Sequence, residues 1–394
     1  MRSNYRRIGD LIELVDERNK DLSIDLLLGL SISKEFIPSV ANTIGSNMRN
    51  YKIIRKGQFA CSIMQVRRDK KMPVALLEDH EEGIISQAYP VFKVKDECEL
   101  LPQYLMMWFS RPEFDREACF YAVGGVRGSL EWEDFCNMEL PVPSIEKQRE
   151  IVAEYNTVVN RIKLNEQLNQ KLEETAQAIF NECFGQSGES EELTRVGDIL
   201  EIRGGFSYHS SKLAKGTSYL LGMGCISFTS RFLDEGMRLY SDEHPEKHRV
   251  KPFDIVIATR QQSENMPILG YPAMIPPDLG SKKLVVASNL YRVVNKSDWS
   301  NEVLYQLFRS PDYLEHIRLH TKGTTVGMIT KDAIEDFYIK LPLAESVKKL
   351  QAELKAIVNL IFLKRQEIIA LFGMMEMLLS KMTKVDAEKE REVV

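Results

Sequence analysis

Two long stretches of the chain carry apolar positions at alternating steps of three and four. In the first stretch, apolar or small residues fall at 151, 155, 158, 162, 172, 176, 179 and 183; in the second they fall at 350, 354, 357, 361, 368, 371, 375, 378 and 382. This is the heptad seam of a coiled coil, because a 3.5-residue repeat keeps one stripe of a helix turned toward a partner helix. The expected seam comprises Ile151, Tyr155, Val158, Ile162, Asn165, Leu172 and Ile179 on one helix. On the other it comprises Leu350, Leu354, Ile357, Ile361, Lys364, Ile368, Leu371 and Leu378. Asn165 and Lys364 interrupt the two seams at equivalent places, and a polar residue inside a seam costs stability while fixing register. Ser144 suits the N-cap of the first helix and Gly185 its C-cap. Two unrelated amphipathic helices, each packed on its own domain, are the plainer reading; the shared seam and shared break argue for mutual pairing.

The rest of the chain mixes period-two and period-3.6 patterns. Tyr51–Arg55 and Phe59–Ile63 flank a Lys56-Gly57 turn and read as a hairpin, with Asp254–Ala258 as the counterpart of its second strand. Tyr104–Phe109 and Val303–Phe308 read as short helices ending before Pro112 and Pro311. The fold class is therefore α+β.

The chain repeats itself once. Arg7-Ile8-Gly9-Asp10-Leu11-Ile12-Glu13 returns 188 positions later as Arg195-Val196-Gly197-Asp198-Ile199-Leu200-Glu201. Phe109-Ser110-Arg111-Pro112 returns after 199 positions as Phe308-Arg309-Ser310-Pro311, and Gly124 and Gly128 match Gly323 and Gly327 at that same offset. Glu133-Asp134-Phe135 matches Glu335-Asp336-Phe337 at 202. A common order with a slowly drifting offset is the mark of a tandem duplication with small loop insertions. The expected organisation is a domain over 1–143, a helix over 144–185, a linker over 186–190, a second domain over 191–343, a second helix over 344–385 and a charged tail over 386–394. If the helices run antiparallel, the two domains are related by a pseudo-two-fold axis. Each helix would span about 60 Å at 1.5 Å per residue, whereas B-DNA repeats a groove face about every 34–36 Å. On a duplex, such a ruler would address two separate half-sites with an unread gap, and because the domains differ in sequence, the half-sites would differ too.

Composition narrows the chemistry. The chain has 394 residues, 44% hydrophobic and 28% charged, with a net charge of −5. An acidic balance counts against a freestanding DNA-binding domain, although charge distribution matters more than its sum. The six cysteines form no C-x-x-C pair, so neither a disulfide framework nor a zinc site is expected. No signal peptide or membrane span is evident, and a cytoplasmic location is expected. There is no N-P-P-[FYW] turn for adenine methylation, no [DE]-x-K suitably placed after either Pro-Asp, and no P-loop, so neither a catalytic site nor a metal site is expected.

The candidate DNA contacts lie in loops. Gln65, Arg67, Arg68, Lys70 and Lys71 follow the second hairpin strand in the first domain; Arg260, Gln261, Gln262, Ser263 and Asn265 follow its counterpart. Arg and Lys suit guanine edges, and Gln and Asn suit adenine. Two glycine loops add Arg127 and Ser129, and Lys322, Thr324 and Thr325, whose amides and hydroxyls suit phosphate oxygens. Tyr208, His209 and Lys212 form a weaker third cluster. A charged run at a hairpin tip is by itself more often a solvated surface, and glycines in a loop more often serve the turn. A coiled-coil scaffold that never touches DNA is the alternative function.

The Arg-x-Gly-Asp opening, the GGVRGSLEWEDF segment running to Leu140-Pro141-Val142-Pro143, the EKQREIV helix start, and the KGTTVG and DFYIKLP runs of the second half together resemble specificity subunits of type I restriction–modification enzymes. The resemblance covers nearly the whole chain. It implies two target-recognition domains alternating with two helical regions. It also implies a non-catalytic subunit that reads a bipartite, asymmetric site on double-stranded DNA. Two methyltransferase subunits, and restriction subunits, would be its partners. S-adenosylmethionine, ATP and Mg2+ would be used by those partners and no cofactor by this chain. The second helix start, Ala344-Glu345-Ser346-Val347-Lys348-Lys349, departs from this pattern and lacks the Gln148-Arg149-Glu150 run of the first.

Overall fold

The structure is a computed structural model that describes residues 4–39, 47–64, 66–124, 128–185, 193–229, 231–261, 268–323 and 326–383, with the backbone alone at Gln261. The chain divides into two compact units, Met1–Lys163 with Ala370–Val394, and Leu164–Ile369. Each unit thus takes one end of each long helix. Among the described residues no helix is long and apolar enough to cross a membrane.

The first unit contains strands β1 (Tyr5–Arg7), β2 (Ile12–Val15), β3 (Leu28–Leu30), β4 (Phe36–Pro38), β5 (Lys52–Arg55), β6 (Phe59–Cys61), β7 (Val74–Leu76), β8 (Glu82–Ile85), β9 (Val91–Val94) and β10 (Glu139–Pro141). Its helices are α1 (Ile8–Leu11), α2 (Val66–Asp69), α3 (Pro102–Phe109), α4 (Pro112–Tyr121) and α5 (Trp132–Asn137), followed by the long α6 (Ile145–Gly185). The second unit runs β11 (Leu193–Arg195), α7 (Val196–Ile199), β12 (Leu200–Gly204), β13 (Leu213–Leu221), β14 (Arg238–Tyr240), β15 (Arg249–Val250), β16 (Ile255–Ala258) and β17 (Arg260–Gln261). It continues with β18 (Pro272–Met274), β19 (Lys283–Val286), β20 (Leu290–Asn295), α8 (Asn301–Leu307), α9 (Pro311–Leu319), β21 (Gly327–Met328), α10 (Lys331–Glu335), β22 (Tyr338–Lys340) and α11 (Ala344–Lys381).

The two units share a topology. One four-stranded sheet has the order β2-β9-β6-β7 in the first and β12-β20-β16-β18 in the second. A second layer joins β5 to β8, with β3 and β4 tied on through a parallel Leu27–Ile84 bridge. Its counterpart is the continuous sheet β14-β13-β19-β15, in which β13 and β19 are likewise parallel. The strands β1 with β10, and β11 with β22, close the ends of each domain onto one another. The repeated Arg-x-Gly-Asp opening occupies this corner in both copies, where α1 and α7 turn the chain from one sheet into the next.

The expected hairpin across Lys56-Gly57 is not formed. Gly57 does take a left-handed turn at φ +84°, and Gln58 N donates to Arg55 O at 2.9 Å. Yet β5 pairs with β8, while β6 lies between β9 and β7. A turn residue reports where the chain bends, not which neighbour the outgoing strand finds. All three residues of β6 and all four of β16 are buried, so both strands go to sheet interiors covered on both faces. Aromatic packing completes the cores: Phe59 stacks on Phe92 at 5.0 Å, with Phe109, Phe114 and Phe135 around them. The second unit keeps Phe308, Tyr313 and Phe337 at the matching places.

Each core takes one end of each long helix. In the first unit, Leu379 and Met382 of the α11 end are buried in the core against which Ile151, Val152 and Tyr155 of α6 pack. In the second unit, Ala176 and Phe180 of α6 share a core with Leu350, Leu354, Val358 and Phe362 of α11. The beginning of α6 therefore goes with the end of α11, and the reverse: the helices are antiparallel. Along α6, Val158, Ile162, Asn165, Asn169, Glu173, Ala176 and Phe180 are buried in steps of three and four. Asn165 is 2% exposed, and Lys364 is half-buried and paired with Glu367 of its own helix at 2.7 Å.

Matching glutamines bind each long helix to its domain. Gln148 accepts the Leu101 amide at 2.9 Å and donates to Glu99 O and Pro143 O. Gln351 accepts the Ser300 amide at 2.7 Å. Leu101 and Ser300 are the N-cap residues of α3 and α8, so one orphan amide is satisfied in each copy by a side chain from the neighbouring rod. Gln148 is fully buried, which gives the first residue of the Gln-Arg-Glu run a structural duty.

Candidate nucleic-acid interface

The run after β6 and the first glycine loop, expected separately, come together. Arg67 N donates to Gly128 O at 3.3 Å, and Arg67 Nη1 donates to Gly124 O at 3.2 Å. Val123 and Ser129 exchange both backbone hydrogen bonds, at 2.9 and 3.0 Å, which closes the base of the glycine loop. Leu130 N then donates to Ile63 O, tying that base to the extension of β6. Gly124 stands at φ +104°, a left-handed conformation that suits glycine. Gly128 has a different reason: a Cβ there would lie 2.9 Å from Cβ of Arg67.

The run itself is the short helix α2, anchored by fully buried Val66, with Arg67, Arg68, Lys70 and Lys71 exposed. Arg68 pairs with Asp69 at 2.6 Å, which raises the guanidinium above its ordinary value. Below the run lies a buried ion pair. Lys34 Nζ reaches Asp115 Oδ1 at 2.8 Å, and the same oxygen accepts the Met72 amide at 3.0 Å. Burial pushes the Lys34 ammonium down, and the Asp115 hydrogen bond opposes that shift. One carboxylate thus fixes both a hairpin tip and the residue following Lys71.

The second unit repeats the backbone bonds at the base of the loop. Lys322 and Met328 exchange backbone hydrogen bonds at 2.9 and 2.8 Å, as Val123 and Ser129 do. Ile329 N donates to Thr259 O, matching Leu130 and Ile63. Arg260 in β17 pairs with Met328 in β21, so Arg260 and Lys322, both exposed, flank one loop. Gly323 stands at φ +102°. The local structure differs, since a turn of helix follows β6 but a short strand follows β16.

Gln65, Arg127, Gln262, Ser263, Asn265, Thr324 and Thr325, and the side chain of Gln261, lie outside the described residues. Ser129 is half-buried at the base of its hairpin. The Tyr208 cluster sits beside the second layer. Tyr208 packs with Phe206 on the core around Tyr240, and Arg238 lies 4.9 Å over its ring and donates to its hydroxyl at 2.9 Å. Lys212 is paired with Glu243 at 2.8 Å, which raises its ammonium; His209 is exposed.

Arg238 was not visible as a candidate in the sequence, because its ring partner lies 30 positions away. Nor were Phe120 and Leu319, exposed at the ends of α4 and α9 immediately before the two hairpins. Among the described residues, no group of three or more His, Cys, Asp or Glu side chains could hold a metal ion.

Residues 4–174 match the family model of the type I restriction modification DNA specificity domain. No curated protein sequence matches the chain. The crystal structure of a type I restriction–modification system S subunit from M. genitalium is similar with a TM-score of 0.56 at 12% identity, covering 96% of this chain and 95% of that one. An HsdS subunit from Thermoanaerobacter tengcongensis superposes less closely, with a TM-score of 0.37 at 17% identity over 97% and 96% of the two chains. At these identities the likeness is one of fold.

Proposed function

We propose, from the match of residues 4–174 to the type I restriction modification DNA specificity domain, that the chain is a specificity subunit whose two domains are two readers of one split DNA site. The observation that carries the proposal is the duplicated juxtaposition of a basic segment with a glycine hairpin. Arg67 beside Gly124–Gly128 in one domain has its counterpart in Arg260 and Lys322 beside Gly323–Gly327 in the other. Two backbone hydrogen bonds at the base of each loop, Val123 with Ser129 and Lys322 with Met328, fix where the flanking Arg67, Arg260 and Lys322 stand, and fixed placement is what base-edge recognition needs. The exposed Arg and Lys side chains supply guanine contacts, and the hairpin amides supply phosphate contacts.

Because the two tips differ in sequence, the two half-sites differ as well. The antiparallel helices set the unread gap between them. On this reading the chain carries out no bond chemistry. Two methyltransferase subunits bind it and use S-adenosylmethionine, and restriction subunits that use ATP and Mg2+ join them. Buried Gln148 is occupied within its own domain and is not among the residues such partners would touch.

The test is selection from a random-sequence duplex library by the full chain, alone and with its methyltransferase partner. A split motif with two unlike halves is expected. A coiled-coil scaffold without DNA binding would retain no sequence in either setting, and that result would overturn the reading.

A further inference from the structure

We propose that Phe120 and Leu319 are apolar base-reading residues, each seated on the 5-methyl group of a thymine in the half-site that its domain addresses. The proposal rests on the two-reader reading above and adds a contact that the charged loops cannot make.

Among the described residues Phe120 is the most exposed large apolar side chain, at 80%, and Leu319 is the second, at 68%. They are 199 positions apart, the offset that relates the two glycine hairpins, so the two most exposed apolar side chains occupy one and the same structural position. Largely exposed bulky apolar groups at matched places are not explained by packing, since neither belongs to a buried core.

Their surroundings say what covers them. Cys119, one residue before Phe120, gives its thiol hydrogen to Val66 O at 3.5 Å, which fixes the end of α4 against α2 and its Arg67, Arg68 and Lys70. Tyr121 stands edge-on to Phe120 at 5.4 Å, and Val123 then opens the hairpin that Arg67 holds. In the second domain Leu319 is followed by His320 and Thr321 and then by Lys322, whose backbone partner Met328 pairs with Arg260. An exposed apolar tip next to a basic segment fits a polyanion with a local apolar feature. In the major groove, where Arg and Lys read guanine, that feature is the thymine methyl. A hydrophobic protein partner would not call for exposed Arg67, Lys70 and Lys71 on the segment that Cys119 touches, none of which forms an ion pair among the described residues.

The probe is the duplex selected by the wild-type full chain, with each thymine replaced in turn by deoxyuridine, which deletes one methyl and nothing else. We expect one thymine in the first half-site whose replacement weakens wild-type binding about fourfold or more, the worth of one buried methyl-sized group. Phe120→Ala should show the same loss on the unaltered duplex and no further loss on that deoxyuridine duplex. Leu319→Ala should do this only in the second half-site, and neither change should alter the salt dependence, because no phosphate charge is involved. Phe120→Leu should retain part of the preference, which separates contact from misfolding. If a split site is selected but Phe120→Ala binds it as wild type does, or if no thymine is coupled to Phe120, the inference fails while the two-reader reading stands. If 2-aminopurine in the half-site brightens on wild-type binding and deoxyuridine has no effect, the side chain wedges between bases and the methyl assignment is wrong. If no site is selected, both fail.

Discussion

Arg67 grips the glycine hairpin at two points: its amide donates to Gly128 O at 3.3 Å and its guanidinium to Gly124 O at 3.2 Å. The side chain is thereby both a candidate reader and the strut of the neighbouring loop. A methyl group added at Gly128 would lie 2.9 Å from Arg67 Cβ, too close to be accommodated without displacing it. Gly128→Ala should cost about 1–3 kcal/mol of domain stability, the usual range for overpacking. It should also relax selectivity at the first half-site while leaving the second intact. Thermal denaturation and methylation of site variants check the two parts separately, and unchanged selectivity would detach Arg67 from reading.

Glu173 of α6 and Arg309 at the end of α8 form a buried pair at 3.2 Å in the second unit. Burial raises the Glu173 carboxyl above its ordinary value, with Arg309 pulling the other way. A folded-state pKa raised above the unfolded one contributes stability that is complete below about pH 4.5 and is lost as pH rises through the folded value. Glu173→Gln should therefore flatten a decline in melting temperature that the wild type shows above that pH. Arg309→Ala should destabilise by about 3–5 kcal/mol near neutrality, since it strands a buried charge. Its deficit should shrink toward pH 4.5 as Glu173 takes up a proton. Arg309 also lies 5.3 Å over the Tyr305 ring, and a deficit independent of pH would mean that loss of this packing dominates.

Gln148→Ala should leave the Leu101 amide without its partner and cost about 1–3 kcal/mol, as buried unsatisfied groups do. Gln351→Ala should do the same at Ser300. Urea denaturation checks both. These two residues also show where sequence reading stops. Gln148 stood in a run that looked like a partner motif, and its counterpart Gln351 lies about one helical turn off the strict repeat, so neither duty was legible.

The duplication was legible because the Arg-x-Gly-Asp corner must satisfy the same tight turn twice, at β1–α1–β2 and β11–α7–β12. The rods were legible because a heptad stripe is a long signal. The hairpin across Gly57 was misread because β6 is apolar on both faces, a feature of a central strand and not of a hairpin arm. Phe120 and Leu319 escaped notice because a lone exposed apolar residue has no pattern in sequence. Only its place beside a folded loop gives it meaning.

Inserting whole helical turns into both α6 and α11 should lengthen the unread gap without changing either half-site. Selection from random duplexes reads the gap directly. An unchanged gap would mean that the rods do not set the spacing.

The most direct measurement is methylome sequencing of cells carrying the wild-type chain, the Arg67→Ala, Arg68→Ala double variant, or Arg260→Ala. We expect the double variant to lose base preference at one half of the split motif and Arg260→Ala to lose it at the other, each by a factor of about 5–150 for a lost base contact. Equal loss at both halves from either change would contradict the assignment of one reader to each half.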